Sequence, residues 1–283
     1  MKRRFGLNGA TTGTADLPTD LRLAREAGFG ALEIRDAKLE EYLRRGGTLP
    51  ALRTAFAEAG VAPLSLNALE RSTLVEGGQR EAVLARCRTL CAWSAALGCP
   101  YVIAVPSFQD GDFGAARVRA LTVASLRAMA GIAREVGVRI GFEFLGFRTC
   151  SVNTLGAARA IVEEVADPAV GLVIDAFHFY AGGSTWSMLE SLDPRLLFVV
   201  HLDDAEPGPR EILTDAQRLL PGAGVIPLQE LVERLEALGY RGVYSVELFR
   251  PEYWTWEPRR LARAAWSSLG ALLAGIETEE PIA

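Results

Sequence analysis

Four ionisable side chains close four successive apolar runs in the second half of this 283-residue chain. Glu143 lies in Gly141-Phe142-Glu143-Phe144-Leu145 and Asp175 ends Leu172-Val173-Ile174-Asp175. His201 follows Val199-Val200, and Glu247 lies in Tyr244-Ser245-Val246-Glu247-Leu248-Phe249. A carboxylate among β-branched and aromatic neighbours is costly unless it is paired or bound to a metal. One such acid could be a buried residue bonded to arginine or backbone; four at equivalent places argue against coincidence. Two Glu, one Asp and one His offer oxygen and imidazole ligands, a set suited to one divalent ion such as Mn²⁺, Mg²⁺, Co²⁺ or Zn²⁺. No thiolate takes part, so a structural cysteine-type zinc site is not implied.

The chain has only two histidines, and both fall in this region. His178 follows Asp175 as Asp-x-x-His and is expected beyond the metal ligands, near the substrate. Asp203 and Asp204 are expected either to orient His201 or to be solvated loop acids. Arg218 precedes the turn Pro221-Gly222-Ala223-Gly224. It is expected near the rim, as a fork for a substrate oxygen or phosphate or as an ordinary surface arginine. Gly222-x-Gly224 alone does not make a phosphate cradle.

The elements that must position these residues alternate. Strands are expected at Arg4–Asn8, Ala31–Arg35, Val61–Asn67, Tyr101–Val105, Arg139–Leu145, Val170–Asp175, Leu196–Leu202 and Gly242–Leu248. Helical patterns follow at Asp20–Ala27, Leu39–Leu43 with Pro50–Ala59, Arg80–Leu97, Ala115–Val136, Leu155–Val165, Trp186–Leu192, Leu228–Leu238 and Pro258–Ala274. Runs such as Tyr101-Val102-Ile103-Ala104-Val105 suit parallel strands covered on both faces. Gly28, Gly60, Gly98, Gly137 and Gly239 fall between a helix and the next strand, where glycine relieves left-handed strain. Eight such units predict an α/β fold, a single (β/α)₈ TIM barrel over residues 1–283 with a frayed tail at 277–283. That fold places active-site residues at the C-terminal ends of the strands, where the four ionisable residues lie.

Composition bounds the rest. The hydrophobic fraction is 49% and the charged fraction 23%, which excludes a mainly disordered chain. The formal charge of −5 argues against nucleic acid, which needs a basic footprint. The basic start, Met1-Lys2-Arg3-Arg4, has no apolar run behind it, and no stretch approaches membrane-spanning length. Cys87, Cys91, Cys99 and Cys150 form no CxxC pair; Cys87 and Cys91 share a helix face as small buried residues. A reduced, cytoplasmic protein is expected.

The chain resembles the xylose isomerase-like barrel superfamily of sugar isomerases and epimerases, and within it the inosose isomerases. The likeness runs over nearly the whole chain. It includes Asn8-Gly9-Ala10-Thr11-Thr12, Glu33-Ile34-Arg35, Leu66-Asn67-Ala68-Leu69, Val152-Asn153-Thr154, Gly171 through His178, and Ser245-Val246-Glu247-Leu248-Phe249-Arg250-Pro251-Glu252-Tyr253. The resemblance implies one divalent metal held by Glu143, Asp175, His201 and Glu247, with the two glutamates also serving as acid and base. It implies that His178 and Arg218 contact substrate oxygens. Tyr180 stands where this pattern carries histidine, and Leu220 and Ala223 replace larger or polar residues, so the departures bear on the substrate.

The chemistry implied is proton transfer on an α-hydroxyketone polyol or sugar through a metal-stabilised enediolate. An inosose fits, its ketone moving between 2-keto-myo-inositol and 1-keto-chiro-inositol. Ketose 3-epimerase, hydroxypyruvate isomerase and inosose dehydratase use the same core. An abasic-site endonuclease shares the barrel but needs a multi-metal cluster with more histidines. A metal-binding protein without catalysis is the remaining alternative.

Overall fold

The computed structural model describes residues 4–109 and 113–274. Eight parallel strands close into a barrel in chain order: β1 (Arg4–Asn8), β2 (Ala31–Arg35), β3 (Ala62–Leu69), β4 (Tyr101–Ala104), β5 (Arg139–Glu143), β6 (Val170–Asp175), β7 (Leu197–His201) and β8 (Val243–Val246). β8 pairs with β1, Leu7 opposite Val246, which completes the ring. Both faces of the strands are covered, and Leu7, Leu32, Ile34, Leu66, Val102, Phe142 and Val200 are fully buried. This burial accounts for the continuous apolar runs: strand faces toward helices and toward the barrel interior both avoid water.

Helix ends follow local chemistry. Asp16 caps the helix Leu17–Ala27, its carboxylate accepting the Thr19 N–H at 3.0 Å, and Pro18 fits the first turn where no backbone donor is needed. Gly28 and Gly98 close their helices at φ of 99° and 80°, a left-handed conformation that costs glycine little. Gly60, Gly137 and Gly239 also have positive φ, as their places between elements lead one to expect.

The strand and helix expectations hold to within a few residues. β3 starts one residue later than expected and runs on to Leu69. The short helix Ala176–Ala181, which carries His178, was not anticipated. At six residues it is too short for periodicity to reveal, and Asp175 starts it by accepting the His178 N–H at 2.7 Å. The expected frayed tail at 277–283 lies outside the described residues. Cys87 and Cys91 are buried on one helix face with their sulfurs 3.9 Å apart. Among the described residues, no helix is long and apolar enough to cross a membrane.

The loop after β7 is tied to the barrel mouth. Asp204–Ala205 pairs antiparallel with Arg218–Leu219. The Asp204 carboxylate accepts backbone N–H groups from Ala205, Gly222, Gly224 and Ile226 at 2.8–3.1 Å. A Cβ on Gly224 would lie 2.2 Å from the Ala205 carbonyl oxygen, so the turn requires glycine there. The turn is therefore built around an aspartate and needs no phosphate.

Candidate metal centre and active site

Glu143, Asp175 and His201 are the last residues of β5, β6 and β7, and Glu247 directly follows β8. The barrel brings all four together, each buried, with one ligand atom apiece lying within 4.8 Å of the others. Metal–oxygen and metal–nitrogen bonds of about 2.0–2.3 Å put ligands on opposite sides of one ion at nearly that separation. The donor set therefore fits a single divalent cation. His201 turns Nδ1 toward this cluster, 3.0 Å from Glu143 Oε1, 3.2 Å from Glu247 Oε2 and 3.8 Å from Asp175 Oδ2.

The electrostatics are those of crowded acids in a low-dielectric core. Burial pushes the Glu143 carboxyl up to about 7; His201 opposes this, while Glu247 and Asp175 add to it. Burial also raises Asp175, but Arg218, helped by His178 and His201, outweighs that and holds its carboxyl below the usual range. Burial disfavours charge on His201, yet Glu33, Glu247 and Glu143 outweigh it and raise the imidazole well above its ordinary value. Glu247 is held from its other side by Asn8 Nδ2 at 2.8 Å and Asn67 Nδ2 at 3.2 Å. Arg35 in turn donates to Asn67 Oδ1 at 2.9 Å.

His178 lies outside the four-residue cluster and lines the cavity above it. Burial, opposed by Asp175 and reinforced by Arg218, pushes its imidazole down to about 4, so it is neutral near pH 7. Arg218 has only donors and sits 2.9 Å from His178 Nε2. Nε2 must then be the acceptor and the proton must sit on Nδ1. That Nδ1 is buried and has no protein partner among the described residues. Phe147 meets the ring edge-on, with centroids 5.0 Å apart.

Arg218 departs from expectation in exposure. It is 1% exposed rather than on the surface. Nε donates to Asp215 at 2.8 Å, and Nη1 to Asp175 at 2.5 Å and to Asp203. With Nη2 serving His178, four of its five N–H groups have protein partners among the described residues. Asp203 and Asp204 do not contact His201. Asp203 accepts from Arg218 and from the Phe177 N–H at 2.9 Å, and Asp204 holds the turn described above. Tyr180, at the departure noted in the sequence, lies beneath Arg210 with 3.9 Å from guanidinium carbon to ring centre and does not line the cavity.

The cavity has a volume of about 210 Å³ and is lined by Glu143, Glu247, His178, Arg218, Phe108, Phe147 and Phe249 among others. It is smaller than the ~300–1,000 Å³ sites that take drug-sized ligands, which suits a substrate of a few carbons.

A sequence profile of the xylose isomerase-like TIM barrel family matches residues 21–269. The chain belongs to that family. Within it, the chain is 39% identical over 250 residues to an inosose isomerase of Halalkalibacterium halodurans, covering 87% of this chain and 88% of the relative. It is 36% identical to an inosose isomerase of Bacillus subtilis over the same length. A crystal structure described as the IOLI protein with a binding zinc atom superposes with a TM-score of 0.94 at 34% identity, covering 96% of this chain and 98% of that one. This family member is an isomerase, and its buried carboxylate–histidine cluster has the donors to hold a divalent metal.

Four residues around the site carried no assigned role in the sequence: Glu33, Asn8, Asn67 and Asp215. Glu33 had the same signal as the four predicted ligands, an acid inside the apolar run Ala31-Leu32-Glu33-Ile34. The asparagines are neutral and gave no comparable signal.

The two histidines are expected to separate on substitution. His201→Ala should lose tight metal binding, since it removes the only nitrogen donor of the cluster. His178→Ala should keep about one metal per chain while turnover falls by a factor of ~10² or more, a loss typical of a group that orients or polarises the substrate. Metal analysis of the dialysed variants beside their turnover numbers tests this. Equal loss of metal in both would place His178 among the ligands.

Proposed function

We propose that the protein interconverts inososes, shifting the ketone of 2-keto-myo-inositol to the neighbouring carbon to give 1-keto-chiro-inositol. The observation that carries this reading is the convergence of Glu143, Asp175, His201 and Glu247 at a small cavity that His178, with its Nδ1–H unpartnered among the described residues, also lines. The names of the inosose isomerase relatives support the choice of substrate.

A bound divalent ion supplies positive charge against the substrate oxygens as negative charge develops there. Zinc in the IOLI structure supports zinc as one ion that suits the site. The chain's own groups account for the proton movements. One of the two glutamates, Glu143 or Glu247, takes the proton from the carbon bearing the hydroxyl next to the ketone. The C–H electron pair becomes the C=C bond of an enediolate, and the former carbonyl oxygen takes up the charge. Return of the proton from that glutamate to the former carbonyl carbon, with passage of the neighbouring O–H proton to the former carbonyl oxygen, leaves a hydroxyl there and the ketone one carbon along. Glu143 and Glu247 both line the cavity, where a carboxylate can take and return a proton. His178 Nδ1–H donates to a substrate oxygen, and its neutral imidazole orients the substrate without competing for the carbon-bound proton. Phe147 and Phe249 line the same cavity and offer apolar surface to the substrate.

The test is incubation of metal-loaded protein with 2-keto-myo-inositol, D-fructose, hydroxypyruvate and 3-dehydroshikimate in D₂O. Deuterium uptake next to the ketone, with ketone migration in the inosose alone, is the expected result. Exchange with D-fructose and inversion at its C3 would reassign the protein as an epimerase. Metal binding without exchange in any substrate would leave a binding protein.

A further inference from the structure

We infer that Glu33 positions His201 as a metal ligand, accepting the proton on Nε2 and thereby presenting the Nδ1 lone pair to the metal cluster. The inference rests on the metal reading above and adds to it a residue on the opposite side of the imidazole.

The His201 ring lies between two groups of acids. Nδ1 faces Glu143, Glu247 and Asp175. Nε2 faces Glu33 alone, 3.1 Å from Oε1 and 3.2 Å from Oε2. A neutral imidazole has one N–H and one lone pair, and a metal takes the lone pair. With Nδ1 toward the cluster, the proton must sit on Nε2, where Glu33 Oε2 accepts it and Oε1 lies close by. An imidazole whose far N–H is bound by a carboxylate is fixed in tautomer and ring angle and is a more basic ligand.

Glu33 is held for this task. It lies on β2, opposite Ser65 of β3 and Asn8 of β1 in the strand register, and the Ser65 hydroxyl donates to Oε2 at 2.8 Å. Glu33 and His201 are both fully buried, so water does not compete for either. Among the described residues, His201 is the only cationic or cation-forming side chain with an ion-pair distance to Glu33. A further buried carboxylate without a lysine or arginine, in a barrel interior already holding three, costs stability. A role in orienting the histidine accounts for its presence; filling the core does not, since leucine would serve better.

Glu33→Gln keeps the size of the side chain and an oxygen that can accept the Nε2–H, but removes its charge. We expect the purified variant to bind Zn²⁺ and Co²⁺ about 10- to 100-fold more weakly than wild type in competition with a chromophoric chelator. The visible absorption of the Co²⁺-loaded variant should shift. The imidazole N–H proton of His201 in the Zn²⁺-loaded variant should move upfield in ¹⁵N-edited NMR, because it no longer bonds to a carboxylate. Glu33→Ala should weaken binding further; if it does not fold, Glu33→Gln decides alone. A Glu33→Gln protein with lower thermal stability but wild-type metal affinity and an unmoved N–H resonance would overturn the proposal, leaving Glu33 a structural residue. Wild-type protein that takes up no metal would overturn the metal reading itself, and this proposal with it; the two failures appear in different samples.

Discussion

In protein saturated with divalent metal, Glu143→Gln and Glu247→Gln are each expected to lose nearly all turnover and nearly all exchange of the substrate C–H proton with solvent. Gln preserves the size and one oxygen donor of each side chain, so packing changes little. What it removes is a carboxylate able to accept a proton. General acid–base groups contribute typically ~10²–10⁴-fold, and loss of one negative charge beside the cation adds to that. Glu143 lines the cavity beside His201, its Oε1 3.0 Å from Nδ1. Glu247 is aimed into the cavity by Asn8 and Asn67, which leave its other oxygen toward His201. The measurement is deuterium uptake at the carbon next to the ketone, with metal content determined on the same samples. Wild-type exchange in both variants would leave the glutamates as ligands only and require another base.

Arg218→Met should reduce stability by roughly 3–5 kcal/mol, the cost of breaking a buried ion pair by removing one partner. Met retains an apolar stem against Phe177 and Phe249, whose ring centres lie 4.8 and 5.3 Å from the guanidinium carbon. The loss is electrostatic: Asp175 and Asp203, both fully buried, would face each other without a cation between them. Lysine is not expected to rescue the variant, because one ammonium cannot meet Asp175, Asp203, Asp215 and His178 at once. Activity should fall as well, because His178 Nε2 loses the donor that fixes its proton on Nδ1. Denaturant unfolding of wild type, Met and Lys variants measures the effect. A Met variant within 1 kcal/mol of wild type would mean that the aspartates are stabilised by other groups.

The local readings succeeded where the physics is local. Each strand reads as a short apolar run and the longer helices as periodic stretches, several with a cap or a closing glycine, and each such signal lies within a few residues of the element it marks. The four metal-site residues were legible for a related reason. An acid or histidine at the end of an apolar run is expensive to bury, so its presence marks a use. The same criterion applies to Glu33, but its partner His201 lies across the barrel, 168 residues away, and no local pattern joins them. Asp203 and Asp204 show the converse. Proximity in sequence to His201 suggested that they orient it, yet the chain leaves the strand at His201, so Asp203 meets Arg218 and the Phe177 N–H while Asp204 holds the following turn.

By itself, then, the sequence determined the alternation of strand and helix, the closed barrel that eight such units imply, the family, and the identity of the four clustered donors. These follow from burial cost and backbone preference, which act over a few residues. The tertiary structure decided which nitrogen of each histidine is left for a ligand, that Arg218 is buried and almost fully engaged, and that Glu33 and the two asparagines brace the donors from strands more than a hundred residues away in the chain. Those facts depend on side chains meeting across the barrel. Strand register and closure determine such meetings, and no spacing along the chain encodes them.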